Sequence, residues 1–191
     1  MTKPIDLDLT VYQGSTFQLH LLHACGSSKQ IDSITNAAPA AVKTVKPHGY
    51  STGQSLVVVD GKGITLLNDN VYSITVTDSL NFTLDGTDTS AEPPYLEGGY
   101  VAVPNDLTGY TALMHIRSRA SSDTLILELS TANGRISLGG PNGIIELEIS
   151  AAITANLEKG SYVYDLELIS PGSIVSRLIQ GSVEVDPETT K

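Results

Sequence analysis

Four histidines, one cysteine and a few strand-borne acids are the side chains from which this chain could build a reactive site. His20 and His23 are three apart in a segment that reads as a strand, so they point to opposite faces and make a poor ligand pair. Zinc needs clustered His, Cys, Asp or Glu, and the sequence holds neither CxxC nor HExxH. His48, in "KPHGY", falls in a loop, where a local hydrogen bond is its plain reading; the fourth histidine is His115. Cys25 stands alone, so no internal disulfide forms, and it reads as apolar filler or a loop thiol rather than a nucleophile. No metal and no cofactor are expected.

Acids deserve the same scrutiny. Two strands can bring distant carboxylates to the spacing that glycoside hydrolysis requires. Yet Glu146, Glu148, Asp165 and Glu167 alternate with apolar residues, which is the pattern of a solvated strand face. GxSxG is absent, so no nucleophile elbow is offered. "GKG" at 61–63 and "GGPNG" at 139–143 lie between strand segments and read as turns, not phosphate cradles. "NDN" at 68–70 and "DGTDTS" at 85–90 invite calcium but lack EF-hand spacing. Tyr95 and Tyr100 flank the polar stretch 85–99; with Asp85 and Asp88 they mark the candidate interaction or display loop. Tyr162 and Tyr164 are assigned to the core. These readings yield no catalytic set.

Composition narrows the partners. The chain has 191 residues, a formal charge of −10, and 11 Lys and Arg against 21 Asp and Glu. Nucleic-acid binding requires basic residues that displace counterions, so this balance argues against it. It argues equally against an anionic membrane surface. The opening "MTKPIDLDLTVYQG" has no signal-peptide apolar run, and no stretch approaches about 18 apolar residues. Synthesis in the cytoplasm is expected.

The elements that position these residues are strands. Ile5, Leu7, Leu9 and Val11 alternate with polar residues, and so do Phe17, Leu19 and Leu21; the two segments pair as a hairpin or sit on opposing sheets. Residues 24–30 read as a loop, 31–34 and 42–45 as short strands, and "GITLLNDN" as a helical turn or a loop. Further strands are read at 55–59, 71–77, 81–86, 100–103, 111–118, 124–131, 144–150, 161–170 and 174–185. The Pro93–Pro94 and Gly98–Gly99 pairs forbid regular structure between 87 and 99. One helix is expected at 150–160, capped by Ser150 and ended by Gly160. So many strands with one helix exclude a doubly wound sheet and leave sandwiches and small barrels.

Two sets of motifs carry a resemblance. The first is Val11, Gln13, Gly14, Thr16, Phe17 and Leu19; then Asp106 to Ala112 ("DLTGYTA") with Ile116 and Arg117; then Gly160, Tyr162 to Glu167, Arg177, Gly181, Val183 and Val185. This pattern resembles the N-terminal domain of phage baseplate upper proteins and related tail-fibre or neck accessory proteins. The second is His48, Gly49, Ser51, Thr52, Gly53, Gly61, Gly63, Leu67, Asn68, Tyr72, Val76, Asp78, Phe82, Leu84, Asp85, Gly86, Asp88 and Ser90. It resembles a small β module found within phage tail proteins, from which Gln54 and Ser79 depart.

The resemblance implies an all-β, immunoglobulin-like antiparallel sandwich from 1–30 and 102–187, with a smaller barrel-like or sandwich domain inserted at 31–101 and a polar tail at 188–191. It implies a structural virion protein of tail, baseplate or neck, made in the host cytoplasm. Its partners would be other virion proteins, in a homo-oligomeric ring or repeated copies. A receptor- or glycan-binding module touching a host surface is the alternative. In "DLTGY", Asp106 is read as accepting turn amides and Leu107 and Tyr110 as plugging the sandwich end, with Gly109 in the turn. Asp165, Glu167 and Arg177 are read as a cross-strand charge set.

Overall fold

The computed structural model describes residues 3–189. Its strands, in chain order, are β1 (Ile5–Asp6), β2 (Leu9–Tyr12), β3 (Phe17–Leu22), β4 (Ala24–Ile34), β5 (Ala40–Thr44), β6 (Ser55–Val59), β7 (Val71–Val76) and β8 (Asn81–Leu84). There follow β9 (Tyr100–Pro104), β10 (Thr111–Arg117), β11 (Leu125–Ser130), β12 (Ile136–Leu138), β13 (Ile144–Ile149), β14 (Gly160–Ile169) and β15 (Val175–Asp186). The chain is all-β. It divides into two compact units: residues up to Leu21 with Leu107–Gly139 and Ile145 onward, and Leu22–Asp106 with Gly140–Ile144.

The first unit is a sandwich. One sheet runs β1-β15-β14-β10-β11, with β2 also on β15; the other runs β12-β13-β3. Period-two alternation builds it. In β13, Ile145, Leu147 and Ile149 turn inward between exposed Glu146 and Glu148. They meet Met114, Leu129, Leu166 and Val183 in one core. Each fully buried Leu or Ile there contributes about 1.5–3 kcal/mol of transfer free energy.

The topology is immunoglobulin-like. β1 and β2 run parallel to the last strand, β15, and β3 crosses to the opposite sheet. The opening segments therefore lie on opposing sheets. Tyr162, at the start of β14, donates its hydroxyl to the Glu158 carbonyl at 2.8 Å, which is the tyrosine corner of such sandwiches.

The helix expected at 150–160 shrinks to one turn, Ala151–Thr154. Ser150 holds the N-cap position with extended backbone, but its side chain makes no capping bond. Gly160 already belongs to β14 rather than ending the helix. So short a helix gains little from its own hydrogen bonds. Competing contacts decide instead: Gln13 takes the Leu157 carbonyl, and Thr154 Oγ1 bonds Ser15 and Ala151 carbonyls.

The second unit is a closed barrel, β4-β5-β8-β7-β6-β9. Its core gathers Leu56, Ile64, Leu67, Ile74, Phe82 and Leu84, all nearly fully buried. "GITLLNDN" forms a single 3-10 turn at Thr65–Leu67.

The loop expected at 24–30 is instead the first part of β4. That strand pairs with β9 through Ala24–Gln30 and with β5 through Ile31–Ile34. A register slip between Cys25 and Lys29, with Gly26 at φ 68°, takes residues 26–28 out of the ladder and bends the strand, which then resumes pairing at Lys29. Because the barrel needs all of β4 and β9, the inserted unit runs from Leu22 to Asp106, wider than the expected 31–101. Gly140–Ile144 joins it because the His23 amide donates to the Gly143 carbonyl at 2.8 Å. Of the polar tail at 188–191, residues 190 and 191 lie outside the described residues.

Candidate functional site

The candidate display loop is strapped to the barrel. Thr89 is fully buried; its hydroxyl accepts the Ala37 amide at 3.1 Å and lies 3.0 Å from the Thr35 carbonyl. The Asn36 amide donates to the carbonyls of Thr89 (3.0 Å) and Glu92 (2.7 Å). Gly63, at φ 92°, leaves no room for a Cβ against the Pro94 carbonyl, so the loop lies directly on that backbone.

The four expected site residues do not converge. Asp85 is exposed and accepts from Thr75 and Thr83 on β7 and β8. Asp88 closes its own turn, accepting from the Ser90 hydroxyl and amide, and both bonds hold its carboxyl below the usual range. Tyr95 is half-buried against the barrel core and donates to the Gly98 carbonyl at 2.7 Å. Tyr100 packs with Val57, Val59 and Ala102. Burial pushes both phenols up, with nearby acids adding to it. Neither ring is free as a stacking platform. The exposed apolar side chains of this region are Leu66 and Leu96 instead.

In "DLTGY", Leu107 is 2% exposed in the sandwich core and Tyr110 packs against the same core. The Tyr110 amide donates to the Leu107 carbonyl at 3.0 Å, and Gly109 takes φ 75° beside Pro171. The boundary between the units falls between Asp106 and Leu107.

A polar row crosses the outer face of the larger sheet. Glu128, His115, Asp165, Gln180 and Asp6 are successive Cα partners on β11, β10, β14, β15 and β1. Arg177 bridges Asp165 at 2.7 Å and Glu167 at 3.5 Å, which is the expected charge set. His115 Nε2 lies 3.5 Å from Glu128, and Gln180 donates to Asp6 at 3.0 Å. Arg117 donates to the carbonyls of Ser122 and Asp123, each at 3.0 Å. Glu128 apart, the side chains from His115 and Arg117 across to Arg177, Gln180 and Asp6 line an open groove of about 640 Å³. Its guanidiniums are already engaged, so the groove reads as a neutralised polar surface more than as an anion site. The row escaped sequence reading because it depends on the register of five strands.

The remaining candidates hold structure. His48 is buried, stacked on Tyr50 at 5.2 Å and edge-on to Phe82 at 5.3 Å. Its Nδ1 accepts the Tyr50 amide at 2.9 Å, so Nε2 carries the proton toward the Asp78 carbonyl at 3.0 Å. Asn68 brackets Gly61 by two bonds, Oδ1 accepting its amide at 2.9 Å and Nδ2 donating to its carbonyl at 3.0 Å. Glu146 accepts from Ser137 and Glu148 from Gln18, each at 3.0 Å. Cys25 is exposed, and no group of three metal-ligand side chains occurs among the described residues. No helix among them is long and apolar enough to cross a membrane.

One feature went unread in the sequence. The Asn133–Gly134 pair has the sequence of a hairpin turn, and the Asn133 side chain also caps the free edge of β11. Its Oδ1 accepts the Ser130 amide at 3.0 Å and its Nδ2 donates to the Glu128 carbonyl at 3.1 Å. Arg135 donates to the same carbonyl at 2.7 Å. The carboxamide thus occupies the place of a neighbouring strand.

A scan against protein-family models finds no match, and no curated protein matches the chain.

Proposed function

We propose that this chain is a structural component of a tailed-phage virion, in the tail, baseplate or neck, acting through repeated protein contacts. One observation carries the reading. The two motif sets, read from sequence as separate resemblances, separate along the two compact units. Val11 to Leu19, Leu107 to Arg117 and Gly160 to Val185 fall in the sandwich, and His48 to Ser90 fall in the barrel. Asp106 alone falls across the boundary, by one residue.

The motif residues explain themselves as scaffold. Tyr162 forms the corner, Leu107 and Tyr110 fill the core, and His48, Asn68 and Phe82 fix barrel loops and core. His48, Glu146, Glu148 and Asp165 each hold a structural partner, which supports a scaffold role for them. The receptor- or glycan-binding reading stands second, because Tyr95 and Tyr100 are held in packing contacts. The test is mass spectrometry of purified particles of the encoding phage. The chain is expected at a stoichiometry fitting a symmetric assembly, and its absence from particles overturns the proposal.

A further inference from the structure

The sandwich has four strand edges, and they are unequal. β11 is closed at Glu128 and Ser130 by Asn133 and Arg135, and a bulge disturbs its register between Leu125 and Leu127. β1 and β2 form a broken edge beside Lys3 and Pro4, interrupted at Leu7–Asp8. β12 has three residues. Capping side chains, bulges, breaks and short length are devices that stop strand addition. β3 is unbroken and longer than β12. It runs six residues without Pro, Gly or charge, pairs with β13 on one side, and ends its sheet on the other.

We infer that β3 is the edge at which a second copy of this chain adds, antiparallel, to form a two-fold pair. The inference rests on the proposed assembly role and names its contact. Charge selects the edge: each copy carries −10, and β3 brings no charged residue to the axis. Pattern selects the register. Gln18 bonds Glu148, and the His23 amide bonds Gly143, so Phe17, Leu19 and Leu21 direct their backbone groups toward β13. Gln18 and His20 then direct theirs outward. Placing Gln18 opposite His20 of the second copy lets these residues exchange four backbone hydrogen bonds around the axis. The same register sets Leu19 against its twin and Phe17 against Leu21. All three are only partly covered in one chain and are packed against its core.

The test is sedimentation velocity of the purified full chain over a concentration series, alongside His20→Pro. Proline removes the outward N–H without touching the β13 ladder. The wild type is expected to dimerise, and H20P to self-associate at least about tenfold more weakly. A wild type that stays monomeric, or an H20P dimer of unchanged strength, overturns the inference.

Should H20P fail to fold, Gln18→Cys with His20→Cys in a Cys25→Ser background replaces it. Opposed Cα atoms of a hydrogen-bonded pair are about 5.5 Å apart, within disulfide range. Oxidation should link position 18 of one copy to position 20 of the other, and no such link overturns the pairing. A monomer that is still present in particles overturns β3 pairing alone. A β3 dimer that is absent from particles overturns the virion role alone.

Discussion

The Tyr164 hydroxyl donates to the Leu7 carbonyl at 2.7 Å, tying the penultimate strand of the sandwich to the gap between β1 and β2. Gly181 lies beneath the same carbonyl, where a Cβ would collide with it. Asp8, the next residue, accepts the Ser182 amide at 2.9 Å and the Ser182 hydroxyl at 2.8 Å. The opening segment thus lies against β14 and β15 at three residues, Tyr164, Gly181 and Ser182. Burial pushes the Tyr164 phenol up to about 12, with the Asp8 charge adding to it, so the phenol remains a donor at neutral pH.

Tyr164→Phe should cost about 1 kcal/mol, the usual net value of one buried hydrogen bond. Gly181→Ala should cost more, about 1–3 kcal/mol, because backbone and not a flexible side chain must move. Urea unfolding measures both. Equal small effects would show that the first strands are not held here.

Acid should weaken the sandwich through Asp6 and Asp8. Ser182 lowers Asp8, by its amide first and its hydroxyl second; Gln180 and then Lys3 lower Asp6. A folded carboxyl below its unfolded value near 3.9 gives stability that is present above that pH and lost as pH falls through the folded value. Asp8→Asn keeps the acceptor and removes the titration. Its loss of stability between pH 5 and pH 2 should be shallower than that of the wild type, which thermal midpoints across that range would read.

His23 predicts a second, milder limb in the barrel unit. Burial lowers its imidazole below the usual value near 6.5, so the unfolded chain takes up the proton first. Stability is full above that pH and falls as pH drops below it. Replacing His23 with Asn should reduce the difference between unfolding midpoints at pH 7.5 and 5.5. An unchanged difference would remove His23 from the account.

Thr89→Val tests the strap on residues 85–99. The substitution preserves shape and strands the Ala37 amide, a loss of about 1–3 kcal/mol. Hydrogen exchange should rise in the loop from Asp85 to Gly99. No rise would return the loop to a free display role.

Asn133→Ala with Arg135→Ala tests the capped edge. Exposing the Glu128 carbonyl and the Ser130 amide should leave monomer stability within about 2 kcal/mol while promoting association through β11. Light scattering on warming is the readout, and unchanged scattering would show that the bulge alone guards this edge.

Strand faces were legible wherever one face is buried, as in β13 and β14, because period two fixes which side chains turn inward. The Asp165–Arg177 pair was legible for the same reason. β4 was not, because Gly26 and its serine neighbours carry turn chemistry that barrel closure overrides. The loop at 85–99 showed its irregularity through Pro93–Pro94 and Gly98–Gly99. Its anchoring depends on Asn36 and Thr89, 53 residues apart, which no local pattern reveals. The bonds that tie residues 154–157 to Gln13 and Ser15 have the same origin, joining partners 144 and 139 residues apart in sequence.

A reconstruction of the intact particle tests the virion role most directly. The sandwich and barrel should fit density repeated about a symmetry axis in the tail, baseplate or neck, with β3 edges of two copies adjoining. A particle whose tail, baseplate and neck densities are filled by other chains, with no place for either unit, would contradict it.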